Sequence, residues 1–487
     1  MTDNHYLTTL FNPKGVVVVG ASTHPGKFGF VALHNILSAG FDGPIFATNP
    51  DKPIILGIQA HAEILDLPQG QVDFAMICIS PNKIIDILPQ LAQIGVKAAF
   101  VVSGGFKETG PEGEYLEKQL VEKAVECGIQ IAGPNGQGLV STPVNLCSQI
   151  VSPYPPEGKI SIASQSGNIL SALMNLSRHS NVGIARAIST GNQAHFSVSD
   201  YLDYFCNDPE TAVVVAYVEG LPNGRQFYNS LNDTASNKPV IVLRGGSTKS
   251  GAKAAASHTG SLASDHAIFT DMVKQAGGYL ATDVDDAFAL AATFATQPLP
   301  NGKNTVVMTT AGGWGVLTAD AVANAELELL PLPKDLESSI DTLLPPRWSR
   351  NNPVDLAGGE TRDTIPDLLS MLLEHKAVDS LIFLGLGIQG NVARSYFESP
   401  LATDGTNRMA TFHSAQEKRY AESIVEAINN FNKPVLVASE LSVADPENPG
   451  PKSIRDSGLM CYRSPLVAVK CLERLTNFAE RSTTKLQ

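Results

Sequence analysis

The sequence predicts an α/β protein built as three doubly wound domains in succession, and three observations carry the prediction. Short runs rich in Val and Ile alternate with longer amphipathic stretches, the pattern of parallel strands joined by covering helices. In the first block each run ends in Gly, Ser, Pro or Asn, at the strand end where an open α/β sheet meets its ligand. The chain has 487 residues, more than one ordinary core encloses, and two Pro-rich stretches punctuate it, "VSPYPPEGK" and "TQPLPNGKN". Domains are expected over residues 1–145, 146–299 and 300–487.

The first block opens on "GVVVVGAS", an apolar strand running straight into a glycine turn. A helix is expected through "FVALHNILSAG", then strands at "PIFATNP", "FAMICIS", "AAFVVSGG" and "IQIAGPNGQG". The second block places strands at "ISIASQSGN", "IARAISTGN", "AVVVAYVEG" and "PVIVLRGG". The third places them at "TVVMTTAGGWG", "SLIFLGLG" and "PVLVASE". There the polar run "ARSYFESPLATDGTNRMATFHSAQEKRY" is expected to be a surface loop, with an ordered lid as the other reading.

Hydrophobic residues make up 43% and charged ones 17%, ordinary globular usage that leaves no long tract to disorder. The net charge of -13 argues against a general nucleic-acid or anionic-membrane binder, while leaving room for a local basic pocket. Cys78, Cys127, Cys147, Cys206, Cys461 and Cys471 lie far apart with no C-x-x-C pair, which is neither a zinc framework nor a disulfide scaffold. The opening "MTDNHYLTTLFNPKG" has no basic end followed by an apolar core, and no run reaches the roughly 18 apolar residues that span a membrane. A soluble cytoplasmic protein is the expectation.

"GASTHPGKFG" lies between a strand and a helix, so its N–H groups and the helix end can cradle a phosphate. It is not G-x-G-x-x-G. The second strand ends in Asn49-Pro50, where an NAD-binding fold places a carboxylate for the ribose, so a nicotinamide dehydrogenase is disfavoured. Lys27 and Lys52 occupy adjacent strand-end loops and suit phosphates as point charges. Singly, each of these residues reads as well as an ordinary turn residue. Four loops of one character, "STHPGKFG", "TNPDK", "ISPN" and "SGGFKETG", favour a nucleotide-like ligand. "SQSGN" and "AGGWG" also close a strand and open a helix with small residues, which is anion-site chemistry and equally a common structural turn.

The segment "GGSTKSGAKAAASHTGSLAS" connects the strand "PVIVLR" to a helix expected near Asp265. It has too much Gly and Ser for a stable helix and too little bulk to anchor in a core. Such a segment can move, or let another chain approach closely. It carries His258. Imidazole, with an ordinary pKa of about 6.5, is largely neutral and nucleophilic in the cytosol, so it can accept a phosphoryl group at nitrogen. On the residues alone, a solvent-facing or N-capping histidine is the plainer reading. Glu219 follows the buried run "AVVVAYV" and emerges at a strand end. It is either an exposed loop carboxylate or one that fixes the tautomer of a neighbouring ring.

Taken in order, "GASTHPGKFG", "NP", "ISP", "SGGF", "GPNGQG", "SQSGN", "STGNQ", "YVEG", "ASHTGSLA", "AGGWGVLTAD" and "NNPVDL" resemble the NDP-forming acyl-CoA synthetases. That superfamily includes succinyl-CoA synthetase and the ADP-forming acetate–CoA ligases. The resemblance spans nearly the whole chain, and in length and content it is to the α subunit of the acetate–CoA ligase type. It implies a Rossmann-like CoA-binding domain followed by two flavodoxin-like ligase domains, the first carrying the phosphohistidine loop.

The resemblance implies CoA contacts from Gly20, Ser22, Pro25, Lys27, Phe28 and Gly29, from Asn49, Pro50 and Lys52, and from Ser80, Pro81, Ser103, Gly104 and Gly105. It implies phosphate or acyl phosphate at two helix N-termini, one formed by Ser164, Gln165, Ser166 and Gly167, the other by Gly312, Gly313 and Gly315. Trp314 departs from the smaller residue of the family pattern and either lines an acyl pocket or covers the helix end. His258 becomes the phosphohistidine and Glu219 the carboxylate beside it, with no metal site on the chain itself. His5, His24, His34, His61, His179, His195, His266, His375 and His413 are expected on the surface or in packing, His24 being the one inside a ligand loop.

The implied reaction interconverts acyl-CoA, ADP and phosphate with carboxylic acid, CoA and ATP through acyl phosphate and phosphohistidine. ADP or ATP with Mg2+ belongs, on this resemblance, to an ATP-grasp β subunit in an α2β2 assembly, since no block of this sequence resembles that domain. Two rivals are a ligase for a larger or branched acid and a non-catalytic CoA or acyl-CoA sensor of the same fold.

Overall fold

The expected alternation resolves into three sheets that share one strand order. A computed structural model describes residues 5–151, 153–246, 248, 251, 266–358, 363–401 and 403–486. The first region contains β1 (Val16–Val19), β2 (Ile45–Thr48), a hairpin of β3 (Ile54–Ile55) and β4 (Ile58–Gln59), β5 (Phe74–Ile77), β6 (Ala98–Val101) and β7 (Gln130–Ala132). Its sheet runs β2-β1-β5-β6-β7, every pair parallel. Val16 and Val18 enter one core while Val17 and Val19 enter another. A strand buried on both faces has no solvent side to mark with polar residues, so it reads as an unbroken valine run.

The second sheet comprises β8 (Gly138–Ser141), β9 (Leu146–Gln149), β10 (Glu157–Ser164), β11 (Ile184–Ser189), β12 (Val213–Val218), β13 (Val240–Arg244) and β14 (Tyr279–Ala281). Their order is β14-β13-β12-β10-β11-β8-β9, with β8 and β9 an antiparallel hairpin added at the β11 edge. The expected division after residue 145 thus falls inside that hairpin: the strand pairing puts residues from Gly138 onward in the second sheet.

The third sheet holds β15 (Asn304–Thr309), β16 (Glu328–Leu329), β17 (Val354–Asp355), β18 (Ser380–Leu384), β19 (Val435–Ala438) and β20 (Cys461–Tyr462). It runs β16-β15-β18-β19-β20, with β17 pairing the end of β15. In all three sheets, counting the second from β10 after its added hairpin, the chain steps from an inner first strand to one side, then crosses to the other. The carboxyl end of that first strand is the switch point where open α/β sheets hold ligands. Each first strand leads through a small-residue turn into a helix: Phe28–Ala39, Gly167–Ser180 and Gly312–Ala323. "GASTHPGKFG", "SQSGN" and "AGGWG" are therefore one device used three times.

Met1–His179 with Gly183–Ala291 form one compact unit, and Ser180–Val182 with Ala292–Gln487 form the other. Within the first unit the two sheets share a core that contains Phe100, Leu139, Ile188 and Tyr201. The opening residues are tied into it. Phe11 stacks on Tyr204 with ring centroids 5.0 Å apart, and the buried Arg186, paired with Asp208 at 3.4 Å, donates to the Phe11 carbonyl. In the second unit Val306, Leu369, Phe383 and Val437 belong to a separate core.

The polar run expected to be a loop in the third region is instead helical, over Ile388–Phe397 and Asp404–Phe431. Thr403 and Thr406 cap the longer helix reciprocally, and Asp404–Arg408 and Lys418–Glu422 pair one turn apart. Its buried residues Ala410, Glu417, Ala421, Ile424 and Ile428 recur at helical spacing. The stripe begins with a small side chain and a carboxylate, so hydropathy alone hides it. Among the described residues no helix is long and apolar enough to cross a membrane, and the six cysteines are unpaired thiols.

Candidate functional site

The turn after β1 exists because two glycines meet. Gly20 has φ +83, and a Cβ on Gly29 would lie 2.1 Å from the Gly20 carbonyl oxygen. Helix Phe28–Ala39 can therefore begin directly over the strand end, leaving Pro25, Lys27 and Phe28 exposed around the turn and Ser22 partly so. Gly29→Ala is expected to lower stability by about 2–3 kcal/mol, because backbone must move to admit the methyl group. A fall in the thermal midpoint would check it.

Asn49 binds the first two loops to each other. Its amide donates to the Ala21 carbonyl at 2.8 Å, its Oδ1 accepts from Asp51 N–H at 3.0 Å, and Thr48 Oγ1 accepts from Gly20 N–H at 3.3 Å. An aspartate there could not donate to Ala21, which gives a physical reason for the missing ribose carboxylate. Pro50 and Lys52 are exposed beside it, Lys52 at φ +52.

The loops after β5 and β6 are joined where the Ser103 hydroxyl donates to the Ile79 carbonyl, next to Ser80 and Pro81. A Cβ on Gly105 would sit 3.0 Å from Pro81. Gly105, which the resemblance assigns to CoA, has its amide taken as Gly20 has: it and Phe106 N–H donate to Glu108 Oε1, at 2.5 and 3.2 Å. The adjoining Gly104 lies against Glu108 and Asn135. Asn192 of the "STGNQ" loop donates to Glu108 Oε2 at 2.6 Å and to Glu117 Oε2 at 2.8 Å, with the Lys107 ammonium 3.7 Å from Glu117 Oε1. Burial opposes ionisation of Glu108, but the Asn192 and backbone hydrogen bonds outweigh it and hold the carboxyl below its usual range. Burial pushes the Glu117 carboxyl up. This network locks a loop of the first sheet to one of the second. Nothing local in the sequence singles out Glu108 or Glu117.

In the turn after β10, the Ser164 hydroxyl donates to the Ser166 carbonyl at 2.7 Å, and Ser166 Oγ accepts from Ile169 N–H at 3.4 Å in the helix's first turn. A Cβ on Gly167 would lie 2.3 Å from the Gln137 side chain. Gln165 is buried and works on the protein itself. Its Oε1 accepts from the N–H groups of Glu219 and Gly220 at 2.5 and 3.0 Å, and its Nε2 donates to the Gly220 carbonyl at 2.7 Å. It clamps the turn that presents Glu219.

Glu219 emerges at the end of β12 as expected, and its Oε1 accepts from the Tyr217 hydroxyl at 3.1 Å. Burial and the neighbouring carboxylate push the phenol well above its ordinary pKa, so it remains a donor. A Cβ on Gly245 would approach Tyr217 Oη to 2.5 Å and Glu219 Cγ to 3.2 Å, so the pair lies against the residue from which the small-residue segment departs. His258 itself lies outside the described residues. Tyr217 was legible in principle: two positions before Glu219, it shares that residue's side of the strand.

In the second unit the turn before Gly312–Ala323 repeats the serine arrangement, with Thr309 Oγ1 accepting from Ala311 N–H and donating to its carbonyl, both at 2.9 Å. A Cβ on Gly312 would be 2.7 Å from Asp355 Oδ2, one on Gly313 would meet nothing within 4 Å, and one on Gly315 would lie 3.0 Å from Thr309. Trp314 is 37% exposed, so it neither caps the turn as a fully buried lid nor stands free in solvent. The turn after β18 is occupied differently: buried Glu417 accepts from Gly387 and Gly390 N–H at 2.6 and 3.1 Å. Glu108 and Glu417 fill turns after later strands with a carboxylate, whereas Ser164 and Thr309 close the first-strand turns with neutral hydroxyls. A hydroxyl leaves more of the positive helix end for an external anion.

The other histidines do structural work or sit at the surface. His195 Nδ1 accepts from Ile131 N–H at 3.4 Å while its ring stacks on Phe196, and burial lowers its pKa. His24 Nδ1 accepts from Gly26 N–H at 3.0 Å and shapes the first turn.

Three family models match the chain in order: a CoA binding domain over residues 14–141, a succinyl-CoA ligase like flavodoxin domain over 157–294, and a Ligase-CoA domain over 305–389. The α subunit of ADP-forming acetate–CoA ligase II from Pyrococcus furiosus is 32% identical over 432 residues, 88% of this chain and 89% of that one. The α subunit of ligase I from the same organism is 35% identical over 382 residues, covering 78% and 82%. A solved structure of dinucleotide forming acetyl-coenzyme A synthetase 1 from Ca. Korarchaeum cryptofilum, in complex with phosphate and ADP, matches with a TM-score of 0.85 at 32% identity. It covers 100% of this chain and 99% of that one.

Proposed function

The chain belongs to the NDP-forming acyl-CoA synthetases as an acid–thiol ligase of the α-subunit type, and on that premise we propose how its residues divide the reaction. The enzyme interconverts acyl-CoA, ADP and phosphate with carboxylic acid, CoA and ATP. The catalytic relatives favour this over a non-catalytic sensor. A small acid such as acetate is the substrate our reading favours, after the relatives' names.

A phosphate oxygen attacks the thioester carbonyl carbon, the C–S bond breaks, and CoA departs as acyl phosphate forms. A neutral nitrogen of His258 then attacks phosphorus, and the carboxylate leaves. Phosphohistidine passes its phosphoryl group to an ADP oxygen, giving ATP and restoring the ring. Glu219 accepts from the other ring N–H, fixing the tautomer and steadying the cationic phosphohistidine. The observation that carries this is the Gln165-clamped turn presenting Glu219 beside Gly245.

The first-sheet loops with Lys27 and Lys52 hold CoA, and the turns at Ser164–Gly167 and Gly312–Gly315 each offer N–H groups to phosphate, those of Ser166 and Gly315 being already given to Ser164 Oγ and the Ala311 carbonyl. Gln165 supports that turn from behind, its N–H donating to the Tyr217 carbonyl at 3.2 Å and its side chain being engaged with Glu219 and Gly220. Nucleotide with Mg2+ is held by an ATP-grasp β partner in an α2β2 assembly, and the reaction runs in the cytoplasm, in keeping with the unpaired thiols.

Calorimetric titration should show CoA binding that weakens about threefold in Lys52→Ala, as loss of an exposed ion pair does, and weakens further with salt. NAD binding as tight as CoA would overturn the assignment of the first domain.

A further inference from the structure

The Tyr217–Glu219 contact has a geometry that packing alone does not require. Tyr217 reaches past the end of β12 to place its hydroxyl on Glu219 Oε1 at 3.1 Å. The same phenol lies against Gly245, where any side chain would collide with it, a Cβ approaching the phenol oxygen to 2.5 Å. On the other side Gln165 holds the backbone of the same carboxylate through Glu219 N–H and Gly220 N–H. The backbone of Glu219 is thus fixed by one residue and its carboxylate by another.

We propose that Tyr217 is a positioning residue for phosphoryl transfer, orienting the Glu219 carboxylate toward the imidazole that carries the phosphoryl group. The inference rests on the reading of Glu219 given above. The phenol donates one hydrogen bond to one carboxylate oxygen, which restricts rotation of the carboxyl group. Tyr217 touches no reacting atom and exchanges no proton. Its effect passes entirely through Glu219.

The test is a double-mutant cycle on the full-length chain, read as the initial rate of protein labelling from acetyl-CoA and radioactive phosphate. Tyr217→Phe keeps the ring and removes only the donor. It should slow labelling about tenfold, the cost of one hydrogen bond to a charged group, with the Kd for CoA unchanged. In a Glu219→Gln background the same change should cost less than about twofold, because the charge it serves is gone. Equal slowing in both backgrounds would show a merely structural role and overturn the proposal, as would an unchanged rate in Tyr217→Phe when Glu219→Gln is slow. Should Glu219→Gln itself label at the full rate, the reading of Glu219 fails first and the proposal falls with it. Thermal midpoints of the variants identify any loss of folding, and labelling is normalised to folded protein.

Discussion

His258→Ala should abolish the incorporation of phosphate into the protein from acyl-CoA and inorganic phosphate, a loss of at least about a thousandfold. His258 is the one imidazole between Gly251 and Ser264, and a neutral ring nitrogen is a better phosphoryl acceptor at neutral pH than the serine, threonine and lysine side chains around it in sequence. In the parent chain the label should be acid-labile and alkali-stable, as a phosphoramidate is and a serine phosphate is not. CoA binding by the variant should stay within about 1 kcal/mol of the parent, because truncating a residue on a segment of small side chains removes little packing. Glu219→Gln should fall between the two, since glutamine still offers the ring an acceptor but no charge. Full labelling of His258→Ala would place the phosphoryl carrier elsewhere and remove the basis for reading the segment from Gly251 to Ser264 as catalytic.

The second large effect concerns the nucleotide. The 487-residue chain alone should neither form ATP from acetyl-CoA, ADP and phosphate nor consume ATP with acetate and CoA. Adding an ATP-grasp partner should raise the rate from background to ordinary turnover, on the order of 1–1,000 per second. The relatives named as α subunits motivate this, and on the proposed mechanism a phosphoryl group on His258 would meet ADP held by a separate grip. Steady ATP-dependent thioester formation by the pure chain would overturn it. Stoichiometric labelling without turnover is the expected behaviour of the chain by itself.

Three strand–turn–helix devices are legible in the sequence because their constraints are local. A first strand buried on both faces must be apolar throughout, as Val16–Val19 is. A helix that starts over its own strand end needs a small residue, as Gly29 against Gly20 shows. Glu219 was legible for the same reason, as the first polar residue beyond a buried run. The residues that hold these devices in place were decided only by the tertiary structure. Asn192 bridges Glu108 and Glu117 from 84 and 75 positions away, Gln165 clamps Gly220 across 55, and Glu417 fills a turn 30 residues before it. Periodicity relates a residue to neighbours a few positions along the chain and carries no information about which strand ends the crossovers bring together. The helix Asp404–Phe431 was missed for a related reason, its buried stripe running through Ala410 and Glu417, which look like surface until the elements around them exclude water.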